Sequence, residues 1–308
     1  ITSTSTMSGN CSHRCFTVIL LAALLTGCAP PTPNPTAFVS PLRLPTRVPP
    51  TLTPTPPPPN VRGYYEEGLA YQQAGDTEAA LQAYTRVIEL APDFAPAYVA
   101  RGGVYLARDE YPLALRDADA ALKADPSYAA AYALRGETLR LMGRPAQALQ
   151  AFDRALSHDH GLRTATFRSR WLAACAARSL PHLKELSREY TLEHPDDPMG
   201  RYYRGWALIE EGNPSAAVST LIRGIESAPH PPAVLWFALG WAYVAERAWQ
   251  EAVVSFETAY QLVLSGDTSL ALHTDRPAAD LCGALGRAYL CAGRCAEAET
   301  MLNYAIEI

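Results

Sequence analysis

The residues in this chain that are best suited to chemistry are its cysteines and histidines, and their spacing points to packing. Cys282, Cys291 and Cys295 lie close together, but a zinc site needs tighter pairs and a fourth ligand, which the neighbouring sequence does not offer. A disulfide between Cys291 and Cys295 is an alternative to plain packing. The His-Asp-His run at 158–160 falls where a helix should end, and we expect a solvated turn there. The sequence therefore predicts no metal ion and no cofactor.

The sequence also lacks the motifs that catalysis usually requires. It has no glycine-rich phosphate loop, no nucleophile elbow and no histidine pair of a metalloprotease. All 31 acidic residues follow residue 60, whereas three of the 26 basic residues precede it, so the later region is more acidic than the whole chain with its net charge of −5. No basic stripe offsets that balance, which disfavours nucleic acid as a partner. We predict a chain that is not an enzyme and does not bind nucleic acid.

The first 28 residues have the features of an export signal. Residues 16–27 form an apolar run, which is shorter than the roughly 20 residues that span a bilayer but long enough for a signal-peptide core. The run ends in Leu-Thr-Gly-Cys, which resembles the lipobox of bacterial lipoproteins. That resemblance implies that Cys28 becomes the lipid-modified N-terminus of the mature protein. We expect translation to start at Met7, and an ordinary secretory signal is the alternative.

A proline-rich segment follows at residues 29–60. It contains thirteen prolines and many threonines but neither glycine nor an acidic residue. Such a composition cannot bury a core, and at about 3.1 Å per residue a polyproline II chain of this length reaches roughly 100 Å. We predict a disordered linker that acts as a spacer. A ligand for an aromatic groove is the alternative function of such a segment.

A small residue recurs about every 34 residues in the remainder of the chain, from residue 61 to residue 308. A second small residue follows each one twelve positions later. The glycines are Gly68, Gly102, Gly136, Gly205, Gly240 and Gly286, and the alanines are Ala80, Ala114, Ala148, Ala217, Ala252 and Ala298. Small residues at both positions let two helices approach closely, so the period predicts a stack of helical hairpins.

Large residues occupy fixed positions around these small ones, and the combined pattern resembles the tetratricopeptide repeat. The sixth unit carries it most fully, with Trp236, Leu239, Gly240, Tyr243, Ala252, Phe256 and Ala259. The resemblance implies an all-α, right-handed superhelical solenoid of about seven hairpins that binds proteins. The predicted repeats are 61–94, 95–128, 129–162, a degenerate 163–197, 198–231, 233–266 and 279–308.

Local signals agree with this period, with two exceptions. Pro112, Pro145 and Pro214 fit the first turn of second helices, and Asn213 is a candidate cap. The fourth unit has Arg170 where glycine is expected, which predicts a looser hairpin. An insertion at 265–276 is predicted to be a polar, exposed loop.

Aromatic residues on the first helices of the later units mark a candidate binding groove. In this family the groove is lined mainly by first helices, at three residues before, one after and four after the glycine position. The predicted groove residues are Phe167, Trp171, Tyr202, Trp206, Ile209, Phe237, Trp241 and Val244. Aromatic residues dominate interface energies, and an exposed row of them marks a binding surface. The alternative is that these rings pack on neighbouring helices.

The sequence therefore predicts a lipid-anchored scaffold at a bacterial cell envelope, facing the extracytoplasmic side. It would bind a peptide or a helix of an unidentified partner protein, and it would contact the membrane through its lipid. Two alternatives stay open. One is self-association through the last repeat, which ends at Ile308 without an evident polar capping helix. The other is a regulatory subunit of an envelope enzyme.

Overall fold

The computed structural model describes residues 59–307, and this part of the chain is all helical. It contains fourteen α-helices and two short 3₁₀ helices, and no strand occurs between residues 59 and 307. The predicted all-α class with consecutive helix pairs is confirmed. The predicted signal peptide with Met7 and Cys28, residues 29–58 of the predicted linker, and Ile308 lie outside the described residues. The last two residues of the predicted linker, Pro59 and Asn60, instead begin the first helix. No helix of the described part is long and apolar enough to cross a bilayer.

The described residues divide into two compact units, one up to Ser179 and one from Leu180 onward. The helices of the first unit are α1 (Pro59–Ala74), α2 (Thr77–Leu90), α3 (Ala95–Ala107), α4 (Tyr111–Ala124), α5 (Ala129–Leu141), α6 (Pro145–His158) and α7 (Arg163–Ala176). A 3₁₀ helix, His160–Leu162, precedes α7. Each helix packs against the one before it and the one after it within the unit.

The second unit has the same alternation of helices. Its helices are α8 (Leu180–Glu193), α9 (Met199–Glu210), α10 (Pro214–Ser227), α11 (Ala233–Glu246), α12 (Trp249–Leu264), α13 (Pro277–Cys291) and α14 (Cys295–Glu307). The first helices α9 and α11 also contact each other directly. A second 3₁₀ helix, Ser269–Leu272, lies between α12 and α13.

The close approach within each hairpin explains why glycine recurs. A Cβ atom built on Gly240 would lie 2.5 Å from Cε1 of Phe256, and one built on Gly205 would lie 2.5 Å from Cγ of Leu221. The obstructing side chain comes sixteen residues later in both hairpins, so the large residue at that position fills the space that glycine leaves. The recurring alanines are fully buried, with 0% exposure at Ala217 and Ala252. The contact between the glycine and the large residue sixteen positions later therefore explains why both residue types recur in the sequence.

The turns and caps of the hairpins also follow from the sequence. Pro145 and Pro214 begin α6 and α10, where a missing backbone N–H leaves no hydrogen bond unmade. The side chain of Asn213 accepts a hydrogen bond from the backbone N–H of Ala216, as the cap prediction requires. The turn before α10 places Gly212 at φ 80°, where a side chain would be strained.

Arg170 replaces the expected glycine of the fourth unit and is buried in α7, with 5% exposure. The prediction of an exposed loop at 265–276 is wrong for the middle of the segment, whereas residues 265, 266, 268, 275 and 276 are exposed as predicted. This segment forms the 3₁₀ helix Ser269–Leu272 and buries Leu270 completely. Polar composition predicts a loop from local sequence, but contacts with residues far away in the chain decide the outcome here.

Candidate functional site

The predicted groove residues fall in both units of the chain. Phe167 and Trp171 lie on α7 of the first unit, where Phe167 is half-buried and Trp171 has 0% exposure. The other six lie in the second unit, on α9 and α11. They are Tyr202, Trp206, Ile209, Phe237, Trp241 and Val244.

Four rings of the second unit come together on neighbouring first helices, and we call this set the ring row: Tyr202, Trp206, Phe237 and Trp241. Three of them are buried, with exposures of 0% for Tyr202, 8% for Trp206 and 2% for Phe237. Trp241, Ile209 and Val244 are half-buried. The expected exposure of the rings is therefore wrong for Trp171 and for these three. Binding by this face stays a prediction.

Phe237 contacts two other rings of the row, Trp206 and Trp241, and it also contacts a ring of α12, the second helix of its own hairpin. Trp206 and Phe237 lie parallel, with ring centroids 6.4 Å apart and an interplanar angle of 4°. Phe256 of α12 packs against Phe237 at 5.7 Å and against Trp241 at 5.8 Å. Phe256 also fills the space beside Gly240. The same side chain therefore packs the two helices of the hairpin together and contacts the rings of the row.

The insertion covers the row, and we call residues 265–276 the strap. The imidazole of His273 lies 4.1 Å from the Trp206 ring and 5.2 Å from the Phe237 ring, between centroids. Its Nδ1 lies 2.6 Å from the hydroxyl oxygen of Tyr202. The strap thus brings a flat polar ring into the space where the groove prediction placed a partner.

His273 is held neutral in this setting. Burial lowers its pKa from an ordinary value of 6.5 to about 3, because the charged imidazolium would lose its hydration among aromatic rings. The neutral ring keeps a hydrogen bond between its Nδ1 and the hydroxyl group of Tyr202, and the tautomer of the imidazole sets which of the two atoms donates. The contact is therefore sensitive to protonation of a single side chain.

The strap also supplies the missing cap of α11. The residue before this helix is Pro232, which offers no side-chain acceptor. The carboxylate of Asp267 accepts a hydrogen bond of 3.0 Å from the backbone N–H of Ala233, and the hydroxyl oxygen of Ser269 accepts one of 3.1 Å from that of Val234. The first N–H groups of a helix have no partner within the helix. These two bonds therefore satisfy N–H groups at the start of α11 and also fix the strap to that helix.

The pKa of Asp267 reflects the same arrangement. Desolvation by burial raises it, but hydrogen bonds from Ser269 and from the backbone of Ala233 outweigh that effect and leave the pKa below its ordinary value. The carboxylate therefore stays charged beside the positive end of the α11 dipole. Leu270, with 0% exposure, adds an apolar anchor one residue beyond Ser269.

One polar atom in the ring row has no hydrogen bond. The indole N–H of Trp206 is buried and finds no acceptor among the described residues. A buried donor without a partner costs about 1–3 kcal/mol. The strap therefore fills the space over the row without satisfying all of its polar groups.

The far end of the row is covered less completely. The guanidinium carbon of Arg287 lies 5.0 Å from the ring centroid of Trp241, within the range of a cation–π contact. Val244 and Ile209 lie further along the same helices and keep part of their surface open to solvent.

The first unit contains buried charged pairs instead of an aromatic row. Arg101 donates two hydrogen bonds to the carboxylate of Asp117, at 2.8 and 2.9 Å, and a third to the hydroxyl of Thr85. Arg140 and Glu137 form a second pair at 2.7 Å on α5. Buried charges persist where they are paired in this way, so these groups fix the packing of the repeats.

The cysteines and histidines singled out from the sequence form no site in the described part of the chain. Cys291 has a free thiol, so the alternative of a Cys291–Cys295 disulfide is wrong. Among the described residues, no group of three or more His, Cys, Asp or Glu side chains could hold a metal ion. His158 stacks on Tyr132 with ring centroids 5.5 Å apart.

Sequence reasoning missed the residues of the strap. Asp267, Ser269 and His273 contact the row or the start of α11, and Leu270 is completely buried, yet all four lie in a segment predicted to be exposed. No local signal in the sequence identifies them, because Asp, Thr and Ser are ordinary residues of turns and loops. Identifying their partners requires the fold.

Family comparisons identify the repeats of the first unit. Two models of the tetratricopeptide repeat match the chain, one over residues 61–94 and one over residues 99–161. These segments are therefore tetratricopeptide repeats, and the resemblance drawn from the sequence is confirmed over them. The sequence has no significant match among curated proteins.

Several solved structures are similar to this chain. A tetratricopeptide repeat protein from Parabacteroides merdae shares 18% identity over 70% of this chain and 82% of that one, with a TM-score of 0.45. PilF of Pseudomonas aeruginosa shares 20% identity over 69% and 95%, with a TM-score of 0.48. The first TPR of Spaghetti, bound to an HSP90 peptide, shares 22% over 38% and 96%, with a TM-score of 0.37. None of these likenesses is close enough to assign a partner to this chain.

Proposed function

We propose that this chain is a scaffold that binds a peptide or a helix of a partner protein on the first helices of its repeats. The observation that carries the proposal is the pair of tetratricopeptide matches over residues 61–94 and 99–161, because stacked helical hairpins act mainly by holding other proteins. The aromatic surface of α9 and α11 is the part of the second unit best suited to such contacts.

The proposal includes a membrane anchor and a location. The anchor is the lipid expected on Cys28, and the proline-rich residues 29–60 would hold the repeats away from the bilayer. Both features are expected from the sequence alone, and they favour a location on the extracytoplasmic side of a bacterial cell-envelope membrane. In this role the chain brings a partner to the envelope and performs no reaction itself.

A photo-crosslinking experiment tests the binding half of the proposal. A photoreactive residue is placed at Ile209 or at Val244 of the full chain in bacterial cells, since both side chains are partly open. The matched control places it at Val254 of the second helix α12, which is 59% exposed. We expect one protein to be crosslinked from both first-helix positions and not from Val254. Equal crosslinking from all three positions, or none from any, would contradict the proposal.

Metabolic labelling with a lipid precursor tests the anchor. We expect the full chain to carry the label and to sediment with membranes, and we expect Cys28→Ser to lose both properties. The proposed anchor is wrong if the parent chain remains unlabelled, and the binding experiment is unaffected by that result.

Self-association is a second candidate, and the last helix favours it. On α14 only Ala298 is buried, whereas Tyr304 and Ile306 are 43% and 55% exposed. A second copy of the chain could cover this face. Sedimentation of the full chain and of Tyr304→Ser/Ile306→Ser would then give a dimer and a monomer, and a monomeric parent at micromolar concentration rejects this candidate.

A further inference from the structure

The strap occupies the ring row in the way that a bound peptide would. It is a short segment with a buried aliphatic side chain, and it directs a polar ring and two hydrogen-bond acceptors at groups of α9 and α11. The Tyr202 and His273 contact joins residues 71 positions apart, and the Asp267 and Ala233 contact joins residues 34 apart. None of these contacts is needed to connect α12 to α13, because the other hairpins are joined without such an insertion.

The strap is nevertheless an imperfect occupant. Trp206 keeps a buried indole N–H without an acceptor among the described residues, and the strap holds a histidine in a setting that permits only its neutral form. The strap begins beside the exposed Leu264 and Gly266, whose φ of 101° belongs to the region that favours glycine. Side chains of the strap hold it to the first helices, and Gly266 near its start permits a change of backbone direction, so the strap can be displaced without unfolding the helices beneath it.

We propose that the ring row is a peptide-binding site that the strap occupies in the absence of a partner, and that a partner segment of the same chemistry displaces it. This inference rests on the proposed binding function and specifies its ligand. The partner segment has a carboxylate and a hydroxyl two residues apart, which cap α11 as Asp267 and Ser269 do. An aliphatic side chain and a flat polar ring follow, in the places of Leu270 and His273. A further acceptor for the Trp206 N–H gives the partner its advantage over the strap.

The strap competes with a partner through its high effective concentration at the ring row, to which it is tethered. A tethered segment acts on its site at an effective concentration in the millimolar range, so a free peptide of equal intrinsic affinity binds the parent chain poorly. Weakening the strap removes this competitor and leaves the row intact. The affinity for a free peptide should then rise, although no binding residue of the row has changed.

The test uses a fluorescein-labelled synthetic peptide with the sequence of residues 265–276 and measures its fluorescence anisotropy with the full chain. The strap-weakened variant is Leu270→Ser/His273→Ser, which removes the buried aliphatic side chain of the strap and the imidazole that packs on Trp206. The matched control is Thr268→Ala/Arg276→Ala, which changes two exposed residues of the same segment. A peptide carrying serine in place of its leucine at 270 and histidine at 273 controls for charge and length.

We expect the labelled peptide to bind the weakened variant at least tenfold more tightly than it binds the parent or the control, and we expect the serine peptide to lose this gain. A weakened variant that keeps its helical circular dichroism and binds no more tightly than the parent overturns the proposal. If this variant loses helical signal, Asp267→Ala opens the strap by removing one cap of α11, and the same tenfold criterion applies to it.

The result also separates this inference from the function on which it rests. Crosslinking of a partner at Ile209 and Val244, together with no gain in peptide binding, leaves the scaffold function standing and removes the role of the strap. A gain in peptide binding without any crosslinked partner shows a competent site and contradicts the proposed use of that site in cells.

Discussion

Asp117 illustrates how single residues hold these repeats together. Its carboxylate has 2% exposure and receives two hydrogen bonds from Arg101, whose side chain is 12% exposed. That carboxylate is the first cause of the raised pKa of Arg101. Removing one member of such a pair leaves the other charge buried and uncompensated, so the effect should be much larger than for a surface pair.

We predict that Asp117→Ala lowers the free energy of unfolding by about 3–5 kcal/mol. The matched control is Asp119→Ala, two residues along the same helix, because its carboxylate is 56% exposed and pairs with Arg135 at the surface. A surface pair contributes less than about 1 kcal/mol. Urea unfolding followed by circular dichroism measures both, and similar losses for the two variants would show that burial does not set the strength of the Asp117 pair.

The pKa of His273 predicts how stability depends on pH. The folded chain holds this imidazole neutral down to a pKa of about 3, whereas the unfolded chain protonates it near 6.5. Below pH 6.5 the unfolded state therefore binds more protons, and stability that is fully present above pH 6.5 is lost as the pH falls. At pH 5 the free energy of unfolding is lower by about 2 kcal/mol as long as the strap stays closed. Opening of the strap would let His273 take up a proton without unfolding the chain, and the loss would then be smaller.

His273→Phe tests this prediction because it keeps an aromatic ring in the same place and removes the titrating group. We expect the variant to be less stable than the parent at pH 7, where the Tyr202 hydrogen bond is lost, and to lose less stability between pH 7 and pH 5. Identical pH dependence in the two chains would show that His273 is not held neutral.

At the scale of the hairpin, the glycine period predicts where two helices touch. Gly240 faces the ring of Phe256 at a distance that no added Cβ atom can occupy, whereas Gly283, within α13, has nothing within 4 Å. Both glycines are helical, so both substitutions by alanine gain helix propensity. Only the first creates an overlap.

We therefore expect Gly240→Ala to lower the free energy of unfolding by about 1–3 kcal/mol, since an overpacked core must shift its rings. Gly283→Ala should raise it by about 0.5–1 kcal/mol. Thermal unfolding of the two variants beside the parent measures the difference in sign. Two changes in the same direction would contradict the close contact.

The same elements mark the limit of what the sequence predicts. The period predicts the positions of Gly240, Ala252 and Phe256, because the same contact between two helices recurs in the hairpins and requires the same residue types at the same spacing. The strap occurs once in the chain, so no repeated pattern of residues marks its contacts. Its composition is that of a loop, and His273 packs on rings of α9 and α11 that are distant in the sequence, so no local rule could predict its position.

Burial of the predicted groove residues has the same physical origin. A helical wheel correctly assigns Tyr202, Trp206 and Phe237 to one side of the first helices, but it contains no information on what covers that side. The strap covers it here. The sequence thus predicted which rings share one side of the first helices, but it did not predict that residues 265–276 cover them.

At the scale of the whole molecule, the account joins three parts with different tasks. The segment before residue 59 is expected to attach the chain to a membrane and to space it from the surface. The repeats that follow would hold a partner, and the strap would determine when the second unit is available. The experiments above test these three proposed roles separately, because lipid labelling, crosslinking and peptide affinity report on different residues.

Hydrogen exchange of the full chain tests the central claim most directly, with and without a saturating peptide selected on it from a random library. The account predicts slower exchange in α9 and α11 together with faster exchange in residues 265–276, because the peptide takes the place of the strap. A scrambled peptide should change neither. Protection confined to the second helices α10 and α12, or a strap that exchanges at an unchanged rate, would contradict the claim that this face is a peptide site closed by its own chain.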